Sequence, residues 1–472
     1  MLFNSIIFFL FLSIILPIYY ILPSKNQRNS FLLIASYFFY GYWDWIFCLL
    51  LATSTVVDYC LGIQIEKSKA KTKRKALLIT SLTINLGILG FFKYFNFFID
   101  SFSQMAGQFG FVPDYLHLNI ILPVGISFYT FQTLSYSIDI YRNKLKPTRN
   151  FIDFALFVAF FPQLVAGPIE KARDLLPQIS KKRTPTKKQL SEGVILIITG
   201  LFRKVMIGDV SGRYVDNILN DMSYYNSSEL LFAMFLFSIQ IYCDFSGYSK
   251  MARGCAKLLG FELSINFKQP YLASNITDFW RRWHISLSSW LKEYLYFSLG
   301  GNRVSPTRTK INLFITMLLG GLWHGAGFNF IIWGGLHGLY LSIHKWYTKG
   351  ADLQKTPNSN LLIKTLKTIT TLLFVQLAWV FFRLPETHDV YIFFQKIIYW
   401  ESSELTPKLL SISFTFSVMV IIIDYVEFKL KSDTFLILTN QFTRYGILTV
   451  LFIVSKLYIY QVKAIPFIYF QF

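Results

Sequence analysis

Charge is what this chain has least of. Asp, Glu, Lys and Arg make up 15% of its 472 residues, against roughly 25% in an average soluble domain, and that shortage excludes a soluble protein of two or three domains. Cysteine is sparse too. Cys48, Cys60, Cys243 and Cys255 show neither metal-type spacing nor a disulfide framework. Each lies in or beside an apolar run, which predicts buried free thiols. No internal repeat or low-complexity tract breaks the sequence, and no stretch reads as a separate soluble domain. Histidine numbers only six, few enough for each to be judged by its surroundings.

What the chain has instead is hydrophobic mass. Hydrophobic residues are 53% of the total and aromatics 18%, with 49 Phe and 28 Tyr, and the mean hydropathy is +0.43. Disorder, collagen-like repeats and a nucleic-acid-binding module are excluded by this composition. A membrane-spanning helix needs about 20 apolar residues, and roughly eleven stretches approach that length. The predicted fold is an all-α polytopic membrane protein of roughly eleven transmembrane helices plus re-entrant or interfacial helices.

Basic residues exceed acidic ones by 46 to 26, a formal charge of +20. They crowd into short loops, as on the cytoplasmic side of a membrane protein. Lys67, Lys69, Lys71, Lys73, Arg74 and Lys75 occupy one loop, Arg142, Lys144, Lys146 and Arg149 a second, and Lys171 to Lys188 a third. Residues 101–119 hold Asp114 and no Lys or Arg, which predicts an outward-facing segment and an N-terminus outside. The run Phe3 to Leu22 lacks a basic n-region and a small-residue cleavage site, so it reads as a retained span.

Two segments do not read as simple spans. Phe151 to Val165 is short and is followed by Gly167 and Pro168, with Pro162 inside it, which predicts a re-entrant or interfacial piece. From Asn275 to Leu299, Asn275 can cap a helix whose third residue is Asp278. Phe279, Trp283, Trp290 and Tyr294 then follow as an aromatic stripe at helical spacing. Arg281, Arg282, Lys292 and Glu293 make this helix too polar for lipid contact.

The chemistry is sought first among the histidines. His117 and His388 read as surface residues. His324, in GGLWHGAG from Gly320, stands inside an apolar stretch, where an ionisable side chain is costly and a functional role is the first hypothesis. The alternative is a buried imidazole bonded to a backbone carbonyl. Gly321 and Gly325 flank it at a spacing that lets helix backbones approach closely. A neutral imidazole can take a proton from a hydroxyl at neutral pH. His284, in WRRWH from Trp280, has a helix polar enough to hold a structural histidine. His337 and His344 share a helical face, and His337 sits among Gly334, Gly335 and Gly338 as at a close helix contact. His324, His337 and His344 lack acidic or Cys partners at a recognised metal spacing, so no metal site is predicted. Asp244, in QIYCDFSGYS from Gln240, could orient a histidine, pair with a base or cap the following helix. Cys243 reads as a structural thiol.

Six stretches carry a resemblance: PVGISFYTFQTLSYSIDIYR from Pro123, FFPQLVAGPI from Phe160, QIYCDFSGYSKMA from Gln240, ITDFWRRWHISLSSWLKEYLYFSLGGNR from Ile276, GGLWHGAGFNFIIWGGLHG from Gly320 and WVFFR from Trp379. In this order they resemble the membrane-bound O-acyltransferase family, in the bacterial branch that includes alginate O-acetylases, peptidoglycan O-acetylases and the D-alanyl transferases of teichoic acid. The resemblance implies a single domain over residues 1–472, with tilted helices ringing a central tunnel. It implies His324 as the catalytic histidine and His284 as the second one, with Trp283 and Trp323 lining the tunnel and Asp244 and Asn329 supporting it. Lys250 stands where relatives usually carry an acidic residue, and Cys243 replaces an aromatic. The chain's end, Pro466-Phe-Ile-Tyr469-Phe-Gln-Phe472, is similar to a terminal aromatic motif of envelope-acylating systems whose tyrosine is proposed to carry the acyl group. The alternative is an interfacial aromatic anchor.

The resemblance further implies a multi-pass protein of the bacterial cytoplasmic (inner) membrane, without a permanently bound cofactor. Its donor would be acetyl-CoA or another acyl thioester. Its acceptor would be an alginate-like polysaccharide or peptidoglycan, reached through an extracytoplasmic SGNH-like transferase partner, with no nucleic acid involved. A transporter or flippase without covalent chemistry would use similar features as a substrate path, but the inverted repeats expected of one are not seen.

Overall fold

The computed structural model describes residues 1–110, 118, 120–165, 167–348, 360–384, 386–400, 407–461, 465 and 467–470. Asp114, His117, Pro466, Gln471 and Phe472, singled out above, lie outside these residues. Among the described residues every regular element is helical, and the chain divides into two compact units: Met1–Gly193 with Cys255–Ser264, and Val194–Gly254 with Ile265–Phe472.

The first unit holds α1 (Ile6–Ile21), α2 (Lys25–Gly41), α3 (Ile46–Lys67), α4 (Lys71–Leu89) and α5 (Phe95–Gln108), followed by α6 (Ile126–Tyr141), α7 (Phe151–Ala159), α8 (Phe161–Leu164) and α9 (Ala172–Ile179). A capping box opens α2: Ser24 and Gln27 satisfy each other's backbone N–H through their side chains. Asn150 starts α7 by accepting from the Asp153 N–H at 3.2 Å. Between α3, α4 and α6 the Asp58 carboxylate accepts from Ser81 Oγ (2.6 Å), Ser137 Oγ (3.2 Å) and Asn85 Nδ2 (2.8 Å). Such interhelical hydrogen bonds fix register where lipid gives no hydrophobic drive between helices.

The second unit contains the end of α10 (Lys187–Phe202), a π-helical turn at Arg203–Asp209, α11 (Val210–Leu219) and most of α12 (Ser227–Leu258). It continues through α13 (Ile276–Arg282), α14 (Ile285–Trp290), α15 (Pro306–His324), α16 (Phe328–Tyr347), α17 (Leu361–Arg383), α18 (Thr387–Ile398), α19 (Pro407–Leu430) and α20 (Gln441–Gln461) to a short turn at Ile468–Phe470. The apolar window of α12 is 83% buried, so this helix is sheathed by protein where an ordinary span meets lipid.

Six helical runs among the described residues are long and apolar enough to cross a membrane: Ile46–Lys67, Lys71–Gln108, Ser227–Leu258, Leu361–Arg383, Leu409–Leu430 and Gln441–Tyr460. That is fewer than the roughly eleven read from hydropathy at about 20 residues per span. Hydropathy counts apolar stretches without knowing what covers them. Helix α1 has 16 residues. The run Phe151–Leu164, read as re-entrant or interfacial, is broken at Phe160 into two short, mostly buried helices. The thiols also differ from expectation: all four are free and Cys243 and Cys255 are buried, but Cys60 is exposed and Cys48 only partly buried.

A buried ionic network ties α12 to α19. Arg203 Nη2 lies 2.8 Å from Asp424 and 3.4 Å from Glu427. Lys250 pairs with Glu427, the Tyr242 hydroxyl donates to Asp424 at 2.9 Å, and Gln269 Nε2 donates to Glu427 at 3.1 Å. The unusual Lys250 is thereby answered by a carboxylate on α19, away from Asp244. Two cations against two anions balance only while all four are present. Arg203→Met is therefore expected to destabilise the protein by about 3–5 kcal/mol, the cost of stranding buried charge, seen as a lower melting temperature of the detergent-purified chain.

Candidate active site

The site is built from three chain segments of the second unit. The first begins as expected, with Asn275 Oδ1 accepting from the Asp278 N–H at 2.8 Å and Asp278 paired to Arg282 at 3.0 Å. The single striped helix from Asn275 to Leu299 is not formed. Helix α13 stops at Arg282 and α14 starts at Ile285, with His284 between them at φ 41°, ψ 56°. This left-handed conformation disfavours a residue with a Cβ by about 1–2 kcal/mol, although histidine tolerates it better than most. Asn266 holds the break: its carbonyl accepts from the Ile285 N–H at 2.9 Å and its Oδ1 from Ser286 Oγ at 2.6 Å.

The break sends neighbouring side chains to different places. Trp283 stacks on Phe279 (5.5 Å between ring centroids) and packs on Trp379 (5.2 Å) and Phe267 (5.1 Å). Among the described residues its ring contacts do not include His284 or His324, so it braces the wall behind them. His284, fully buried, turns instead to Phe245 (4.6 Å) and Trp323 (6.2 Å).

The second segment is the hairpin of α15 and α16, which carries His324 as the last residue of its first helix. A Cβ on Gly321 would lie 2.2 Å from the Phe330 carbonyl oxygen, and one on Gly334 would lie 2.4 Å from that of Met317. Only glycine permits this approach, which sets the depth of His324. Its imidazole is 3% exposed, with ring centroids of Trp323 and Trp333 at 5.0 Å and Phe382 at 5.4 Å. His284 stands 6.5 Å away, so the two imidazoles read separately in the sequence sit in one cluster of rings. Trp323 touches both.

The third segment is the C-terminal turn. Tyr469 lies 5.4 Å from His324, 6.4 Å from His284, 4.8 Å from Phe245 and 6.2 Å from Phe382, centroid to centroid. Asp244 reaches it through the backbone, accepting from the Ile468 N–H at 2.8 Å, while its other oxygen lies 2.7 Å from Lys204 Nζ. Of the three roles open to Asp244, capping is excluded because α12 runs through it unbroken. His284 and Tyr469 lie outside the six spanning runs. Removal from water pushes the His284 imidazole down to about 3 and raises the Tyr469 phenol above its ordinary value, with the Asp244 carboxylate adding to the second shift. At neutral pH the cluster therefore holds a neutral His284 and a protonated phenol.

The remaining candidates are structural in their contacts. Asn329 donates to the Leu384 carbonyl at 2.7 Å and accepts from Thr387 Oγ1 at 3.3 Å, which joins the start of α16 to the link between α17 and α18. His337 Nδ1 accepts from Trp280 Nε1 at 3.2 Å, and His344 Nδ1 is 2.9 Å from Thr277 Oγ1. His388 is exposed. Among the described residues no three His, Cys, Asp or Glu side chains gather as metal ligands would. Sequence reasoning missed Phe245, Trp333, Phe382 and Lys204. The first three lie inside quoted motifs, whereas Lys204 carries no local signal.

Residues 32–384 match the membrane-bound O-acyltransferase family, a stretch that takes in His284 and His324 and ends before Tyr469. The probable alginate O-acetylase AlgI of Pseudomonas aeruginosa is 43% identical over 410 residues, covering 86% of this chain and 77% of that protein. The peptidoglycan O-acetyltransferase of Helicobacter pylori is 37% identical over 414 residues (81% and 77%), and the teichoic acid D-alanyltransferase of Bacillus subtilis is 27% identical over 287 residues (58% and 72%). With its spanning helices and these relatives, the chain belongs to the membrane-bound O-acyltransferase family: it is a multi-pass membrane protein and an O-acyltransferase.

Proposed function

We propose that this enzyme takes an acetyl group from a cytoplasmic thioester, acetyl-CoA in the first instance, and delivers it across the bacterial inner membrane toward a cell-envelope or exported polysaccharide. The polysaccharide class rests on the acceptors named for its alginate and peptidoglycan relatives. The observation that carries the reading is the meeting of His324, His284 and Tyr469 within one cluster of rings.

The donor's phosphates dock on the clustered Lys and Arg of the inner loops, and its acyl end enters a tunnel to His324. His324 takes the proton of the Tyr469 hydroxyl as the phenolic oxygen attacks the thioester carbonyl carbon. The C–S bond breaks, and the proton returns from the imidazole to the leaving thiolate. His284, neutral in its pocket, steadies the charge on the way. The acetyl group then rests on Tyr469 as an aryl ester. An acceptor hydroxyl, on a carrier partner of SGNH type or on the polymer, attacks that ester and gives its proton back to the tyrosine oxygen. In water a phenol, with a pKa of about 10, is more acidic than a sugar alcohol and a better leaving group; burial of the Tyr469 hydroxyl narrows that difference in the resting site. Dividing one hard transfer into two easier ones is what a covalent intermediate achieves. The surrounding rings keep water from the ester.

Thiol release tests this reading. Purified protein supplied with acetyl-CoA is expected to liberate free CoA and to take up acetyl label. A carrier that moves its cargo without covalent chemistry would do neither.

A further inference from the structure

The C-terminal turn is gripped by its backbone as well as by its rings. The Ile468 N–H donates to Asp244 Oδ2 at 2.8 Å, and Asp244 Oδ1 is 2.7 Å from Lys204 Nζ. Lys204 also meets Asp209 at 2.5 Å. All three side chains are buried, at 3% exposure for Asp244, 0% for Lys204 and 5% for Asp209. Lys204 and Asp209 are five residues apart on the π-helical turn Arg203–Asp209, whose i to i+5 spacing brings them to one side. The ammonium is thereby fixed beneath Asp244, and one carboxylate oxygen is left for the amide of the tail.

Ile468 lies between the two tail rings that matter. Phe467, fully buried, packs on Tyr248 at 4.9 Å and Phe245 at 5.2 Å, and it stacks on Tyr469 at 5.3 Å. Fixing the amide between them fixes both. We infer that Asp244, held by Lys204, is a positioning residue that docks the C-terminal turn and so aims Tyr469 at His324. Its effect on acyl transfer rests on the relay reading of Tyr469, whereas the docking itself does not.

The full-length protein, purified in detergent, tests the two separately. Ile468→Pro removes the N–H and leaves the Asp244–Lys204 pair intact, at the first residue of a helical turn where the φ of proline fits. Ile468→Val keeps the N–H and takes only one methylene from a buried side chain. Asp244→Ala removes both acceptor oxygens, and Asp244→Asn restores one of them. Carboxypeptidase trimming reads the population of undocked tail, acetyl on Tyr469 reads its aim, and the KM for acetyl-CoA reads the donor path.

Loss of a hydrogen bond to a charged group predicts trimming faster by roughly ten- to a hundred-fold in Ile468→Pro and Asp244→Ala. Acetylation of Tyr469 should fall by a similar factor with the donor KM unchanged, Ile468→Val should stay near the parent, and Asp244→Asn, with one acceptor oxygen for two bonds, should fall between the parent and Asp244→Ala. Unchanged trimming in Ile468→Pro and Asp244→Ala overturns the docking, as does trimming in Ile468→Val as fast as in Ile468→Pro. Accelerated trimming with undiminished transfer upholds the docking and sinks the relay instead.

Discussion

His324→Ala is expected to lower acyl transfer by roughly 10²–10⁴-fold, the usual contribution of a positioned general base, in protein that still inserts and folds. The imidazole sits among Trp323, Trp333 and Phe382, 5.4 Å from the Tyr469 ring, and the proposed mechanism gives it the phenolic proton. His324→Gln, closer in volume, separates chemistry from packing, because it fills the cage without a basic nitrogen and should be as inactive. A second control is His337→Ala. His337 is buried and its Nδ1 accepts from Trp280, so its loss should lower the melting temperature while chemistry in the folded fraction continues. Transfer by His324→Gln at the parent rate would remove the imidazole from the mechanism.

Tyr469→Phe is expected to abolish acetylation of the acceptor, with a drop of at least about a hundred-fold for loss of the covalent route. The substitution removes one oxygen and keeps the ring that packs on Phe245 and Phe467. A change in activity therefore reports on the hydroxyl and not on the tail's place in the cluster. Release of free CoA should fall with it, since the rings that keep water out leave the acyl group no other acceptor. Acceptor labelling at the parent rate by Tyr469→Phe would return the terminal tyrosine to the role of an aromatic anchor.

Much of this site was legible in the sequence one residue at a time. His284 and His324 stood out because imidazoles are scarce here and polar groups are costly in an apolar setting. Their meeting was not legible, because it depends on a backbone reversal at His284 that helical periodicity actively hides: Phe279, Trp283, Trp290 and Tyr294 fit one helix well. Asp244 was ambiguous because its partners, Lys204 and the amide of Ile468, are 40 and 224 residues away. The helical class followed from composition alone. The number of spans was less legible: six helical runs among the described residues are long and apolar enough to cross a membrane, and the run Phe151–Leu164, read as re-entrant or interfacial, forms two short helices. Cys60 misled because a helix in lipid presents apolar and small residues outward.

The account stands on His324 and Tyr469 handling the same acyl group, and rapid quenching of the purified enzyme with isotopically labelled acetyl-CoA tests that directly. Mass analysis of the C-terminal peptide should find a base-labile acetyl group on Tyr469 that appears before acceptor product, chases into acceptor when unlabelled donor follows, and is absent from His324→Ala. Acceptor labelled at full rate while Tyr469 stays bare, or Tyr469 labelled at the parent rate in His324→Ala, would contradict it.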